Sequence, residues 1–244
     1  MEKNMRSIKI REKIVLECIE YMKKMHEGQV RRGNNAPFYT HPMRVLELLE
    51  EAPFFFSARD KCAALLHDVK EDSDLFSWPE MSEKFTPWVA GVVALLSKNK
   101  LGETQPEIYF HMLRHTHPNI IAIKICDRIS NTEDYNIVTD PKWLEKYLRE
   151  TIELVHPLIQ LLVARGSLMS PHGYHDLGVW LEEKLQHNLH GMQSRLLELK
   201  TEAPKDPRPG VLDRNDAHAA NSLVKDATQA ATARQKVLDG NNEI

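Results

Sequence analysis

The sequence predicts an all-α fold. Apolar residues recur at helical spacing in nearly every segment, the breaks between segments fall at glycine and proline, and no two segments read as partner strands. From Ile8 to Met25 the residues Ile8, Ile14, Val15, Ile19, Met22 and Met25 follow a period near 3.6 residues. Gly28 and then Gly33 to Pro37 end that pattern. A second helix is expected from about His41-Pro42, where proline suits a first turn, and it carries Val45, Leu46, Leu48 and Leu49. A third, largely buried, runs from about Ser57 to Lys70, and further helices are expected over Trp88 to Leu96 and Gln105 to His115. Asn119 to Asn131 holds Ile120, Ile121, Ile123 and Ile125. Periodicity alone permits a strand there, but with nothing to pair against it a helix is expected. Lys142 to Arg165 and Leu177 to Lys200 complete the pattern as long amphipathic helices.

Composition shifts near Thr201, where Pro204, Pro207, Pro209 and Gly210 interrupt the periodicity. The expected organisation is one domain over residues 1–200, with its motifs between about 8 and 165, and a polar, alanine-rich appendage over 201–244. The appendage is expected to be disordered, or a helix that orders on a partner or in an oligomer.

With 42% hydrophobic residues, 27% charged and a formal net charge of -3, the 244-residue chain has an ordinary globular composition. Near-neutrality argues against a nucleic-acid coat, which needs a basic stripe, but leaves room for a small phosphorylated ligand. Cys18, Cys62 and Cys126 are odd in number and widely spaced, so they are expected as buried thiols rather than disulfides or thiolate ligands. No stretch is long enough to span a membrane, and the N-terminus has no apolar signal region, so a cytoplasmic protein is expected.

The chemistry concentrates in Leu65-Leu66-His67-Asp68-Val69-Lys70-Glu71-Asp72. Treated as a helix, it stacks His67 over Glu71 and Asp68 over Asp72, two adjacent pairs on one face beside apolar neighbours. Ionisable groups at the edge of a buried helix are costly unless compensated, and a divalent cation compensates imidazole and carboxylate together. Another His-Asp pair, His175-Asp176, lacks the acidic residues that follow and reads as a helix start. His111, His115 and His117 lack the glutamate of a metalloprotease helix and read as surface histidines.

Other segments then align. His26-Glu27-Gly28-Gln29-Val30-Arg31-Arg32 leads to Pro37-Phe38-Tyr39-Thr40-His41-Pro42, and Ile123-Lys124-Ile125-Cys126-Asp127-Arg128-Ile129-Ser130-Asn131 stands downstream. Together with the His67-Asp68 run, these resemble the hydrolase domain of the RelA/SpoT alarmone enzymes and their single-domain relatives, within the HD superfamily of metal-dependent phosphohydrolases. The resemblance extends from about Ile14 to Asp134 and implies an HD-domain helical bundle. It also implies that His41, His67, Asp68 and Asp127 hold one metal, most often manganese, with iron or zinc as alternatives. Glu71 and Asp72 match the pair that positions and activates the attacking water. Arg31 and Arg32 match pocket residues that meet phosphate, and Asn131 matches a contact to the nucleoside. His26 matches a family position without a metal role and is expected to pack or hydrogen-bond beneath the loop.

The implied reaction is hydrolysis of guanosine 3′,5′-bis(diphosphate) to GDP or GTP plus pyrophosphate. The chain departs from the family pattern at Asn34-Asn35, Lys70, Ser73 and Ser130, which leaves substrate choice open. Two rival readings follow: an HD phosphohydrolase acting on another nucleotide, such as the 2′-phosphate of NADPH, and a non-catalytic nucleotide-binding protein.

Overall fold

The computed structural model describes residues 2–31, 34–97, 104–169 and 173–202. The expected pocket residue Arg32 and residues 203–244 of the expected appendage lie outside these. Among the described residues the secondary structure is helical, apart from an isolated antiparallel bridge between Val30 and Pro37. The helices are α1 (Glu2–Met25), α2 (Thr40–Glu51), α3 (Ala58–Leu66), α4 (Val69–Asp72), α5 (Trp78–Phe85), α6 (Pro87–Leu96), α7 (Pro106–Leu113), α8 (Pro118–Glu133), α9 (Pro141–Glu150), α10 (His156–Met169) and α11 (Tyr174–Glu202). A 3₁₀ turn, Tyr135–Ile137, follows α8, and a π-helical turn, Thr151–Val155, joins α9 to α10.

Helix starts are set by local chemistry. Ser57 and Asp60 form a capping box: the Ser57 N–H donates to Asp60 Oδ2 at 2.8 Å, and the Asp60 N–H donates to Ser57 Oγ. Proline occupies the first turn of α5, α6, α7, α8 and α9, where its missing N–H costs nothing. Thr86 joins α5 to α6 at φ 95°, a strained value for a β-branched residue, and its hydroxyl accepts from the Val89 N–H.

The helices enclose two apolar clusters. One gathers Cys18, Met22, Leu65, Leu66, Met81, Phe85 and Val93 from α1, α3, α5 and α6. The other gathers Leu48, Phe110, Ile121, Ile123, Leu144, Leu158, Leu162 and Leu185 from α2 and from α7 to α11. Helix α2 contributes to both, as does α3 through Ala63 and Ala64. Helix α8 runs through the core with residues of every face buried, which explains its dense isoleucines: a central helix needs no polar side.

Helices α10 and α11 pack antiparallel through glycine. A Cβ on Gly166 would fall 2.8 Å from the Cα of His175 and nearer still to its backbone nitrogen, and one on Gly178 would fall 2.6 Å from Val163 Cγ2. Helix α11 braces α8 through Asn188, whose amide donates to the Ile129 carbonyl at 3.0 Å and to Thr132 Oγ1 at 2.9 Å.

The expected third helix differs in one respect. It ends at Leu66, His67 and Asp68 form a turn, and α4 restarts at Val69. The His67 ring bonds the Ala64 carbonyl, and Asp68 sits at φ -96°, ψ -11°. Adjacent side chains on a regular helix diverge, so the break lets His67 and Asp68 face the same point. Helix α5 was not anticipated: its Met81 and Phe85 alone are buried, too few to announce a period. Cys18 and Cys62 are 44 positions apart yet neighbours in space, with the Cys18 thiol 3.6 Å from the Cys62 carbonyl oxygen; all three cysteines are buried and free.

Candidate metal centre

Three separate parts of the chain meet at one point. His41 enters from the first turn of α2, His67 and Asp68 from the turn after α3, and Asp127 from the buried face of α8. One ligand atom from each lies within 4.8 Å of every other. His41 Nε2 stands 3.3 Å from Asp68 Oδ2 and 3.1 Å from Asp127 Oδ1. His67 Nε2 stands 3.0 Å and 3.5 Å from the same two oxygens. Nitrogen and oxygen thus alternate around a small ring.

Further hydrogen bonds hold His41, His67 and Asp127 in place. His67 Nδ1–H donates to the Ala64 carbonyl at 2.7 Å, and His41 Nδ1–H donates to Ser130 Oγ at 2.9 Å. In the neutral rings both Nε2 atoms therefore present lone pairs inward, and both are buried without a hydrogen-bond partner. Lys124 Nζ donates to Asp127 Oδ2 at 2.7 Å, and Asn131 Nδ2 donates to Asp127 Oδ1 at 2.6 Å. Two lone pairs facing two carboxylates is an arrangement a cation satisfies. Metal bonds of about 2.1 Å put neighbouring ligand atoms about 3.0 to 3.4 Å apart, close to the 3.0 to 3.5 Å between imidazole nitrogens and carboxylate oxygens here. The cluster can hold a divalent metal.

Electrostatics point the same way. Burial opposes charge on His41 and His67, but Asp68 and Asp127 outweigh it and hold both imidazole pKa values above the ordinary one. Burial likewise opposes the charged carboxylates; the histidines, and Lys124 at Asp127, overcome it and keep both well below the usual range. The Tyr109 hydroxyl, which donates to the Leu96 carbonyl at 2.5 Å, is pushed by burial up to about 12.

Glu71 and Asp72 are exposed, one turn past Asp68, whose carbonyl accepts from both of their N–H groups. The Arg31 guanidinium lies 3.4 Å from Asp134. Asn131 has its amide on Asp127. His26 packs 4.7 Å from the Phe38 ring and bonds Gln29, as expected. His175 and Asp176 start α11, and the exposed His111 and His115 rings meet edge to face, with centroids 5.1 Å apart. A cavity of about 790 Å³ lined by Phe54, Phe55, Trp88 and Tyr174 shares no residue with the cluster.

Sequence reasoning missed Lys124 and the supporting part of Ser130. A lysine within an isoleucine run, three residues before an aspartate, was the available signal for the first: it marks a buried charge with an i,i+3 partner.

No protein-family model matches the chain. It is 30% identical over 166 residues to the guanosine-3′,5′-bis(diphosphate) 3′-pyrophosphohydrolase of Aquifex aeolicus, covering 66% of this chain and 21% of that protein. It is 28% identical over 134 residues to the Drosophila melanogaster guanosine-3′,5′-bis(diphosphate) 3′-pyrophosphohydrolase MESH1, covering 54% of this chain and 74% of that protein. The chain therefore spans about a fifth of the bacterial relative and about three quarters of the fly one. A solved structure of a metazoan ortholog of SpoT superposes with a TM-score of 0.55 at 23% identity, covering 71% of this chain and 94% of the other, and shares its fold. The likeness to SpoT-type hydrolases read from the sequence motifs is thus found in the relatives as well.

Proposed function

We propose that this chain is a metal-dependent phosphohydrolase of the SpoT type, acting on the 3′-pyrophosphate of guanosine 3′,5′-bis(diphosphate). The observation that carries the reading is the buried pair of unpartnered imidazole nitrogens facing the Asp68 and Asp127 carboxylates. Two nitrogen and two carboxylate donors favour manganese, iron or zinc over calcium, and manganese is the metal proposed. When bound, such a metal supplies Lewis acidity that lowers the pKa of water toward about 7–9.

The chain's own residues would do the rest. His41, His67, Asp68 and Asp127 hold the metal. Glu71 and Asp72 take a proton from the attacking water and direct it at the phosphorus joined to the 3′ oxygen. The water oxygen bonds that phosphorus, its bond to the 3′ oxygen breaks, and the 3′ oxygen takes up a proton as pyrophosphate departs. Arg31, with Arg32 beside it in sequence, offsets charge on the pyrophosphate. Asn131 holds Asp127 through its amide nitrogen and meets the nucleoside through its oxygen.

The departures behind the NADPH alternative have other work. Ser130 supports His41, and the Lys70 ammonium lies 5.7 Å from the centre of the Trp78 ring. A nucleotide panel separates the two readings: turnover of the 2′-phosphate alone would replace the alarmone as substrate.

Among the described residues no helix is long and apolar enough to cross a membrane. Free buried thiols support a reducing, cytoplasmic setting. We retain the division into a hydrolase domain over 1–200 and an appendage over 201–244 that serves a partner or an oligomer.

The test is incubation of purified protein with manganese and the alarmone. Pyrophosphate release that is lost in Asp68→Ala supports the reading. No release, or equal release from the variant, overturns it.

A further inference from the structure

Helix α4 carries the acidic pair, yet one turn is too short to be stable by its own hydrogen bonds. Its position must come from outside. The carbonyl of Asp72, its last residue, accepts a hydrogen bond from Gln29 Nε2. The hydroxyl of Ser73, just beyond, lies 3.6 Å from Met25 Sδ. Both partners come from the end of α1 and the turn that follows it.

The Gln29 side chain is itself held. Its Oε1 accepts from His26 Nδ1–H at 2.8 Å, which leaves Nε2 as the end that faces Asp72. His26 is 2% exposed, so the ring that orients the amide is fixed by packing. Gly28, at φ +77°, allows the tight turn in which the Gln29 N–H donates to the His26 carbonyl at 3.1 Å. The Gln29 carbonyl accepts from the Phe38 N–H at 2.9 Å, three residues before His41. One residue thus joins the basic loop, the approach to a metal ligand and the end of the acidic helix.

We propose that Gln29, oriented by His26, is a positioning residue that sets the Glu71-Asp72 pair against the metal centre. This deepens the hydrolase reading and rests on it. Loss of Gln29 leaves the metal ligands in place and lets α4 fray.

The experiment uses the full chain with manganese and compares wild type, Gln29→Ala, Gln29→Glu and the double variant His26→Ala/Gln29→Ala. Three quantities are read: kcat and KM on guanosine 3′,5′-bis(diphosphate), bound manganese, and amide hydrogen exchange. The expected result for Gln29→Ala is kcat lower by about 10- to 100-fold with KM within about twofold. Manganese content stays at the wild-type level, and amides 71–73 exchange about fivefold faster while those of α8 do not change. Gln29→Glu behaves like Gln29→Ala, because a carboxylate has no proton for the Asp72 carbonyl. The double variant loses no more kcat than Gln29→Ala, since His26 acts through Gln29. Unchanged exchange at 71–73, or a raised KM with kcat intact, overturns the proposal. If wild type turns over no alarmone, the hydrolase reading falls, and the exchange result still decides whether Gln29 holds α4.

Discussion

The Ser130 hydroxyl stands 2.9 Å from Nδ1 of His41, 89 positions earlier in the chain. This bond fixes the ring and directs the Nε2 lone pair at Asp68 and Asp127. Outer hydrogen bonds of this kind set ligand orientation and basicity. Ser130→Ala is expected to weaken divalent-metal binding by about 10- to 100-fold without changing helical content. Competition against a calibrated chelator, with circular dichroism as control, measures it. Wild-type affinity in the variant would mean that packing alone holds His41.

Lys124 is buried, and the Asp127 carboxylate raises its pKa despite the burial. Removing the cation leaves that carboxylate with less compensation. Lys124→Met is expected to destabilise the metal-free chain by about 3 kcal/mol, read from urea unfolding in chelator. The double variant Lys124→Met/Asp127→Asn should recover part of that loss, because the stranded charge is gone. A double variant weaker by the full sum of the two single changes would count against the pairing.

The cluster predicts opposite pH responses for the metal-free and metal-bound chains. His41 and His67 have raised folded pKa values, so their stabilisation is complete below the ordinary 6.5 and fades as pH rises through the raised values. Asp68 and Asp127 have lowered values, so theirs is complete above the ordinary 3.8 and fades as pH falls through the lowered values. Without metal, the cluster stabilises most between those limits. Metal must displace the imidazole protons, so its affinity should climb as pH rises above 6.5, with proton release in unbuffered titration. Affinity that stays flat from about pH 6 to about pH 9 would exclude imidazole ligation.

Two glycines predict contrasting costs. Gly166→Ala drives a methyl into the His175 backbone, which cannot swing aside. Gly191→Ala meets the far end of the Tyr135 ring, with Cε1 at 2.5 Å, and that ring can rotate away. Alanine gains about 1 kcal/mol of helix propensity over glycine in both cases. Gly166→Ala should therefore be clearly destabilised, by about 2 kcal/mol or more, and Gly191→Ala nearly neutral by thermal unfolding. Equal melting temperatures would contradict the close approach of α10 to α11.

The helices were readable because most bury one face, so apolar spacing reports them directly. The isoleucine run of α8 is buried all round, and a helix was expected there only because no partner strand existed. The four candidate ligands were readable through motif likeness, since Asp127 in isolation is an acid beside Arg128. In the structure it turns to Lys124, while Arg128 bonds Thr151 at 3.2 Å and pairs with Glu150. The break at His67-Asp68 was not legible: a ring-to-carbonyl bond to Ala64 interrupts the helix without a glycine or proline to announce it. Nor was the clamp from Gln29 to Asp72, which depends on two loops meeting 43 positions apart.

The placement of α2 and α3 between two apolar clusters has a kinetic consequence. His41 and the His67-Asp68 turn sit on elements shared by both halves of the core, and Asp127 comes from the second half alone. The four ligands meet only once α2 and α3 have packed against α8. Closing the long loops between them costs entropy that only the finished packing repays. A metal taken up by this cluster would thus arrive late in folding, and its uptake during refolding would report completion of the last long-range contacts rather than their beginning.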